Sequence, residues 1–164
     1  MSIPIDQFKQ TMRQWASGVT VVTMQADDLA HGLTVSGFVG LSLEPPLVLI
    51  SIGQELHSHT LLNKSRAFAI NFLRADQRDL SDKFAGRWGD VDRFSGVSWR
   101  TVDTGSPVFD ECAAWMDCRI VSSYQAGDHT IYIGEVVASG VTDGAPPLLY
   151  WNGDYRRLSL NTDA

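Results

Sequence analysis

Two consecutive stretches late in the chain restrict the fold more than any other feature. Ala114, Met116, Cys118 and Ile120 alternate with Trp115, Asp117, Arg119 and Val121. A two-residue period puts successive side chains on opposite faces of a β-strand, so one face here is apolar throughout. After a turn at Ala126-Gly127-Asp128 a second run, HTIYIGEVV, begins at His129, and Gly134 inside it marks a bulge.

The rest of the chain reads as neighbours for these strands. VTVVTM at 19–24 is short and β-branched, a turn follows at Asp27-Asp28, and a second strand covers 32–41. Glu44-Pro45-Pro46 imposes extended backbone and feeds LVLISI at 47–52, an apolar run suited to a strand covered on both faces. AFAINFL at 67–73 is another strand, and Asn152-Gly153 between LLYW and YRRL is a hairpin turn. Helical signals are few. Ile5, Phe8, Met12 and Trp15 are spaced for one apolar helix face that docks on a partner surface, and Ser17-Gly18 ends that helix. Residues 58–65 and 76–85 are the others, the latter with Asp76 as N-cap and Leu80 and Phe84 four apart. Residues 87–110 form a long ordered loop pinned by Trp88, Phe94 and Trp99. Six or more strands with peripheral helices predict a closed or nearly closed antiparallel barrel, one domain over residues 1–164.

Composition narrows the function classes. With 13 Lys and Arg against 19 Asp and Glu, the formal charge is −6, which disfavours a nucleic-acid or anionic-membrane partner. No apolar run approaches the ~20 residues of a membrane span, and no signal peptide is expected at the N-terminus. Cys112 and Cys118 lie outside any CxxC, so reduced thiols and a cytoplasmic setting are expected. The chain has no GxGxxG, no P-loop and no GxSxG elbow. His57 and His59 would share one face of an extended segment, but no HExxH or cysteine pair completes a metal site, and none is expected.

Local motifs go further. GLTVSGF at 32–38 followed by SLEPPLVLISI at 42–52 resembles the flavin reductase family, the FMN-binding split-barrel group that supplies reduced flavin to two-component monooxygenases. ASGVTVVT, KFAG at 83–86, DRFSGVSW at 92–99, GDHT at 127–130 and the closing PLLYWNGDYRRL resemble further family motifs in family order. The resemblance spans about residues 8–158.

It implies a mainly β split barrel that transfers a hydride from NADH or NADPH to FMN or FAD, as a homodimer serving a separate oxygenase. Thr34, Val35, Ser36 and Gly37 would lie along the flavin ring and ribityl chain, with Ser51, Ser58 and Thr60 toward the phosphate. Many members carry Arg and Ser where this chain has Gln54-Glu55-Leu56-His57, so His57 would stand in for the cation. The same hydroxyls are also what ordinary strands and helix caps contain. Phe84 of KFAG either covers a flavin or adenine ring or anchors its own helix in the core. Gly127 and Asp128 would deliver His129 to the nicotinamide, with Tyr155 and Arg156 as further candidates for that cleft. Such chemistry needs no nucleophile or general base from the protein, because the cofactors carry it. Two other readings fit the same motifs: a flavin-bound reductase of a corrinoid, nitro compound or metal chelate, and a flavin-binding protein without turnover.

Overall fold

The computed structural model describes residues 2–159. Its elements in chain order are α1 (Ile5–Met12), β1 (Ser17–Gly18), β2 (Thr20–Ala26), β3 (Leu29–Val35), β4 (Phe38–Leu43), β5 (Pro46–Gly53), α2 (His57–Ser65) and β6 (Ala67–Phe72). There follow α3 (Arg78–Phe84), β7 (Trp99–Arg100), β8 (Val108–Phe109), β9 (Ala114–Ala126), β10 (His129–Val141), β11 (Leu149–Trp151) and β12 (Asp154–Arg156). The molecule is 47% strand and 15% helix. No described helix is long and apolar enough to cross a membrane.

Seven strands form one antiparallel sheet in the order β3-β2-β6-β9-β10-β5-β4. The two long alternating strands, β9 and β10, sit inside it and pair with each other from Ala126–His129 to Ala114–Val141. The bulge expected at Gly134 is present as a register shift between Ile133 and Gly134. A Cβ there would sit 2.6 Å from the Phe68 ring, so the glycine also makes room for a core aromatic. Val22, Met24, Ile50, Phe68, Ile70 and Tyr132 fill the barrel, capped by Leu61 and Leu62 of α2. A second core under α3 and the long loop holds Val21, Leu73, Phe84, Phe109 and Leu148.

The predicted strand over 32–41 is two strands. β3 ends at Val35, β4 begins at Phe38, and these consecutive strands occupy opposite edges of the sheet. Ser36-Gly37 therefore carries the chain across the seam where a full barrel would close. Gly37 C=O accepts from Ser51 N–H at 2.9 Å there, and a Cβ on Gly37 would lie 3.2 Å from Ser51 Cβ. Close backbone approach explains the glycine, and the sheet stays split. Glu44-Pro45 is likewise no extended lead-in. It is the tight turn joining β4 to β5, with a cis Glu44–Pro45 peptide.

Side-chain pairing overturns one local expectation and adds a buried carboxylate that none anticipated. Asp76 does not cap α3; its carboxylate takes two bonds from Arg74, and the helix begins after Gln77 without a side-chain cap. Asp117, on the face of β9 opposite the apolar one, is fully buried. It accepts from the N–H groups of Asp103 and Thr104, both at 2.9 Å, and from the Thr104 hydroxyl. The long loop is thus held by a carboxylate as well as by aromatics. Phe94 and Trp99 stack edge-on at 5.9 Å, whereas Trp88 is half exposed.

Candidate active site: a cleft at the seam

Three hollows meet where the chain crosses from β3 to β4. The largest, about 650 Å³, runs from Leu33–Gly37 past Ser51–Gly53 and Leu56 to Ala126, Asp128 and His129. That volume lies in the usual range for small-molecule sites, roughly 300–1,000 Å³. A second, about 520 Å³, opens toward Lys9, Arg13 and Trp15 and shares Ser36, Gly37 and Ser51. A third, about 210 Å³, lies toward Arg87, Tyr150 and Tyr155 and shares Thr34, Val35 and Ser36. Ser36 is the one residue that borders all three. The split in the sheet is what opens this space, so the break in GLTVSGF makes the site as well as lining it.

The candidate hydroxyls separate into spent and free. Thr34 Oγ1 donates to the Ser81 carbonyl at 2.7 Å and ties β3 to α3. Ser58 is buried, 2.9 Å from His31 Nε2. Ser36 and Ser51 have no hydrogen-bond partner for their hydroxyls among the described residues, and both face the cleft. Thr60 lies on the exposed side of α2. His57 opens α2 and meets His31 edge-on at 5.6 Å. His57 and His59 do not share a face: in a helix two residues apart they diverge, and His59 turns to Thr130 instead, at 3.0 Å. No group of three or more His, Cys, Asp or Glu among the described residues is arranged to hold a metal.

Phe84 is fully buried, edge-on to Phe94 at 5.2 Å and tilted against Phe109 at 5.3 Å. It packs under Gly32 as a core anchor, so of the two readings of KFAG the structure places the ring in packing. Tyr155 borders the smallest hollow; its hydroxyl lies 2.6 Å from Asp82 Oδ1 and 2.9 Å from Ser81 Oγ. Arg156 turns elsewhere, onto Asp154 at 2.6 Å and over the Trp151 ring.

GDHT forms the tip of the β9–β10 hairpin, with Gly127 at φ +63°. His129 Nδ1 is 2.7 Å from Asp128 Oδ1, and that bond holds the Asp128 carboxyl below its ordinary range. In the neutral ring with Nδ1–H donated to the carboxylate, Nε2 is free to accept. It faces Gly53, whose absent side chain would lie 4.0 Å away. Buried Cys112 and Cys118, with burial pushing their thiols up to about 11 and about 12, have no thiolate chemistry to offer.

Sequence reasoning missed Phe8 and Met12 as cleft residues, although their spacing marked a helix face with something to cover. It also missed Arg87 and Tyr150, which no local pattern distinguishes from surface residues.

An antiparallel split barrel with a ligand-sized cleft along its seam defines a mainly β domain built to bind a small molecule. A flavin reductase like domain matches residues 12–159. The reductase subunit HsaB of a flavin-dependent monooxygenase from Mycobacterium tuberculosis is 36% identical over 159 residues, 94% of this chain and 84% of that protein. An NADH-dependent flavin reductase from Rhodococcus is 36% identical, covering 93% and 85%. Among solved structures, the flavin reductase PheA2 superposes with a TM-score of 0.89 at 37% identity, covering 96% of this chain and 99% of that one. The NADH:FAD oxidoreductase SgcE6 of Streptomyces globisporus gives 0.89 at 32% identity, with 97% of each chain covered. This chain belongs to the flavin reductase family.

Proposed function

We propose that the chain is an NAD(P)H:flavin oxidoreductase that reduces FMN or FAD and releases the product to a separate monooxygenase in the cytoplasm. One observation carries this reading: a single cleft joins the GLTVSGF crossing and Ser51 to the GDHT tip. The residues fit a flavin on one side and a nicotinamide on the other. Ser36 and Ser51 offer unspent hydroxyls, Gly37 borders the space without a side chain, and Leu33, Val35 and Ile52 supply an apolar wall. When both are bound, hydride passes from nicotinamide C4 to flavin N5.

The protein's part is placement. Ser36, Gly37 and Ser51 hold the polar edge of the flavin, while Phe8 and Met12 of α1 screen the opening from water. His129 Nε2 accepts a hydrogen bond from the carboxamide, with Asp128 fixing the tautomer, and Tyr155 bounds the far side. NADH is the expected donor, because similar proteins are named NADH-dependent flavin, FMN and FAD reductases.

The reading includes a homodimer. Ile5, Phe8 and Met12 of α1, and Trp15 just beyond its end, are 49–72% exposed, and edge strand β4 bares Val39, Leu41 and, at 97%, Leu43. Apolar surface on a helix and an edge strand together suits a second copy. Light scattering should give the dimer mass at micromolar concentration, and a monomer would count against it. The activity itself is tested by following NADH and NADPH oxidation separately with riboflavin, FMN and FAD. Failure of all three flavins to support turnover would reject the proposal.

A further inference from the structure

The tip that carries His129 is not held by its own hairpin alone. Gln54 follows the last residue of β5, and its N–H donates to the Asp128 carbonyl at 3.0 Å. Its side-chain Nε2 donates to the next carbonyl, that of His129, at 3.1 Å. The same nitrogen lies 3.5 Å from Thr130 Oγ1. Thr130 is 8% exposed and is anchored in turn by His59 Nε2 of α2 at 3.0 Å. Tyr132 adds a bond to Asn63 Oδ1 on the same helix, at 3.0 Å.

These contacts matter because the His129 ring has little else to hold it. Among the described residues its one hydrogen-bond partner is Asp128, whose side chain is 95% exposed, and the turn beside it pivots on Gly127. A ring at the first position of β10, beside a two-residue turn, takes its position from the backbone; the Gln54 main chain holds the Asp128 carbonyl and its side chain holds the next one. We propose that Gln54 is a positioning residue for the nicotinamide side of the cleft, acting through its side-chain bond to the His129 carbonyl. It does not line the cleft's main hollow, so any effect it has on the pyridine nucleotide must pass through the turn.

The inference rests on the assignment of His129 to the nicotinamide, and the experiment keeps the two apart. Gln54→Met removes the donor at similar length, and Gln54→Glu sets an acceptor against the His129 carbonyl. Each is made alone and with His129→Ala, and KM for NADH, kcat, flavin Kd and Tm are measured. Loss of one placing hydrogen bond should raise KM for NADH about fivefold in either single variant, with kcat within about twofold and flavin Kd unchanged. On the His129→Ala background the same substitutions should add nothing. Parental KM in both Gln54 variants, beside a damaged His129→Ala, would overturn the role of Gln54 and leave His129 standing. Fully additive losses would mean that Gln54 acts by another route and would also overturn it. A His129→Ala enzyme with parental kinetics would remove the footing of both.

Discussion

Replacing His129 by Ala removes one acceptor and one half-exposed ring from the cleft and leaves the β9–β10 pairing untouched. The lost hydrogen bond from a carboxamide is worth about 0.5–1.5 kcal/mol. The ring would cover on the order of 40 Å² of nicotinamide, which adds about 1 kcal/mol at about 25 cal/mol per Å². The sum corresponds to a fall in kcat/KM for NADH of about 10- to 100-fold. Because the residue places the substrate and transfers no proton, the loss should fall mainly on KM, with flavin Kd unchanged. Asp128→Ala should give a milder loss, about two- to fivefold, because it frees the tautomer and the rotation of a ring that is still present. The pH dependence has a definite sign. The His129 bond holds the Asp128 carboxyl below its ordinary range, so the tether persists through that range as pH falls and is lost only beneath it. The Asp128 tether should therefore add nothing to the pH dependence of KM for NADH above the low end of carboxylate titration. Steady-state kinetics with NADH varied at saturating flavin measure all of this. Parental NADH kinetics in His129→Ala would refute the assignment of GDHT to the pyridine nucleotide.

Three further outcomes test other parts of the structure. Ser36→Leu should raise flavin Kd about tenfold or more in fluorescence titration while leaving Tm nearly unchanged, since the side chain is exposed and borders only cleft space. Asp117→Asn keeps one oxygen for the two N–H groups but removes the charge and puts a donor where the Thr104 hydroxyl now donates, and should cost about 1–2 kcal/mol, lowering Tm by roughly 2–8 °C. His31 titrates at about 4, against 6.5 for a free histidine, through burial first and then Arg93 and His57, so the unfolded chain takes up its proton at higher pH than the native one. Stability should fall by about 1–2 kcal/mol, discounted for partial exposure, as pH drops from about 6.5 to about 4, and His31→Gln should abolish that slope in denaturant titrations.

The parts of the fold legible in the sequence are those fixed by short-range chemistry. The β9 and β10 alternation, the Gly134 bulge and the Asn152-Gly153 turn each depend on a few neighbouring residues, and each is where the pattern puts it. The crossing at Ser36-Gly37 is different. Nothing between Val35 and Phe38 signals that the strand stops, because the stop is imposed by closure of the sheet against Ser51 on β5. Burial of Asp117 was hidden for a similar reason. A polar residue on the outer face of an alternating strand reads as solvated, and only the path of a loop from 87 to 110 covers it. The same limit applies to the cleft. Thr34 and Ser36 look alike on a strand, yet α3 consumes the first hydroxyl and leaves the second. Motif order picks out segments that meet at one cleft; which side chain within each is free depends on partners tens of residues away.

Free hydroxyls without cations also decide how tightly flavin is held. The main hollow has no Lys or Arg on its wall, and its one carboxylate, Asp128, repels a phosphate. Lys9 and Arg13 border only the neighbouring hollow, on a helix with no buried residue, and Arg87 is engaged by Asp82 at 2.6 Å. A phosphate met by hydroxyls and backbone alone lacks the charge-assisted bonds that make anion sites tight. The flavin Kd should therefore lie in roughly the micromolar range, about −8 kcal/mol. Such a ligand behaves as a substrate that leaves after reduction, as supply to a separate oxygenase requires. The purified protein should lose its yellow colour on gel filtration. In an anaerobic cell divided by a dialysis membrane, enzyme, NADH and catalytic flavin on one side should reduce cytochrome c on the other. Stoichiometric flavin retained through gel filtration, with no reduction across the membrane, would sink the diffusible-product reading and favour a reductase whose flavin stays in place and serves an acceptor of its own.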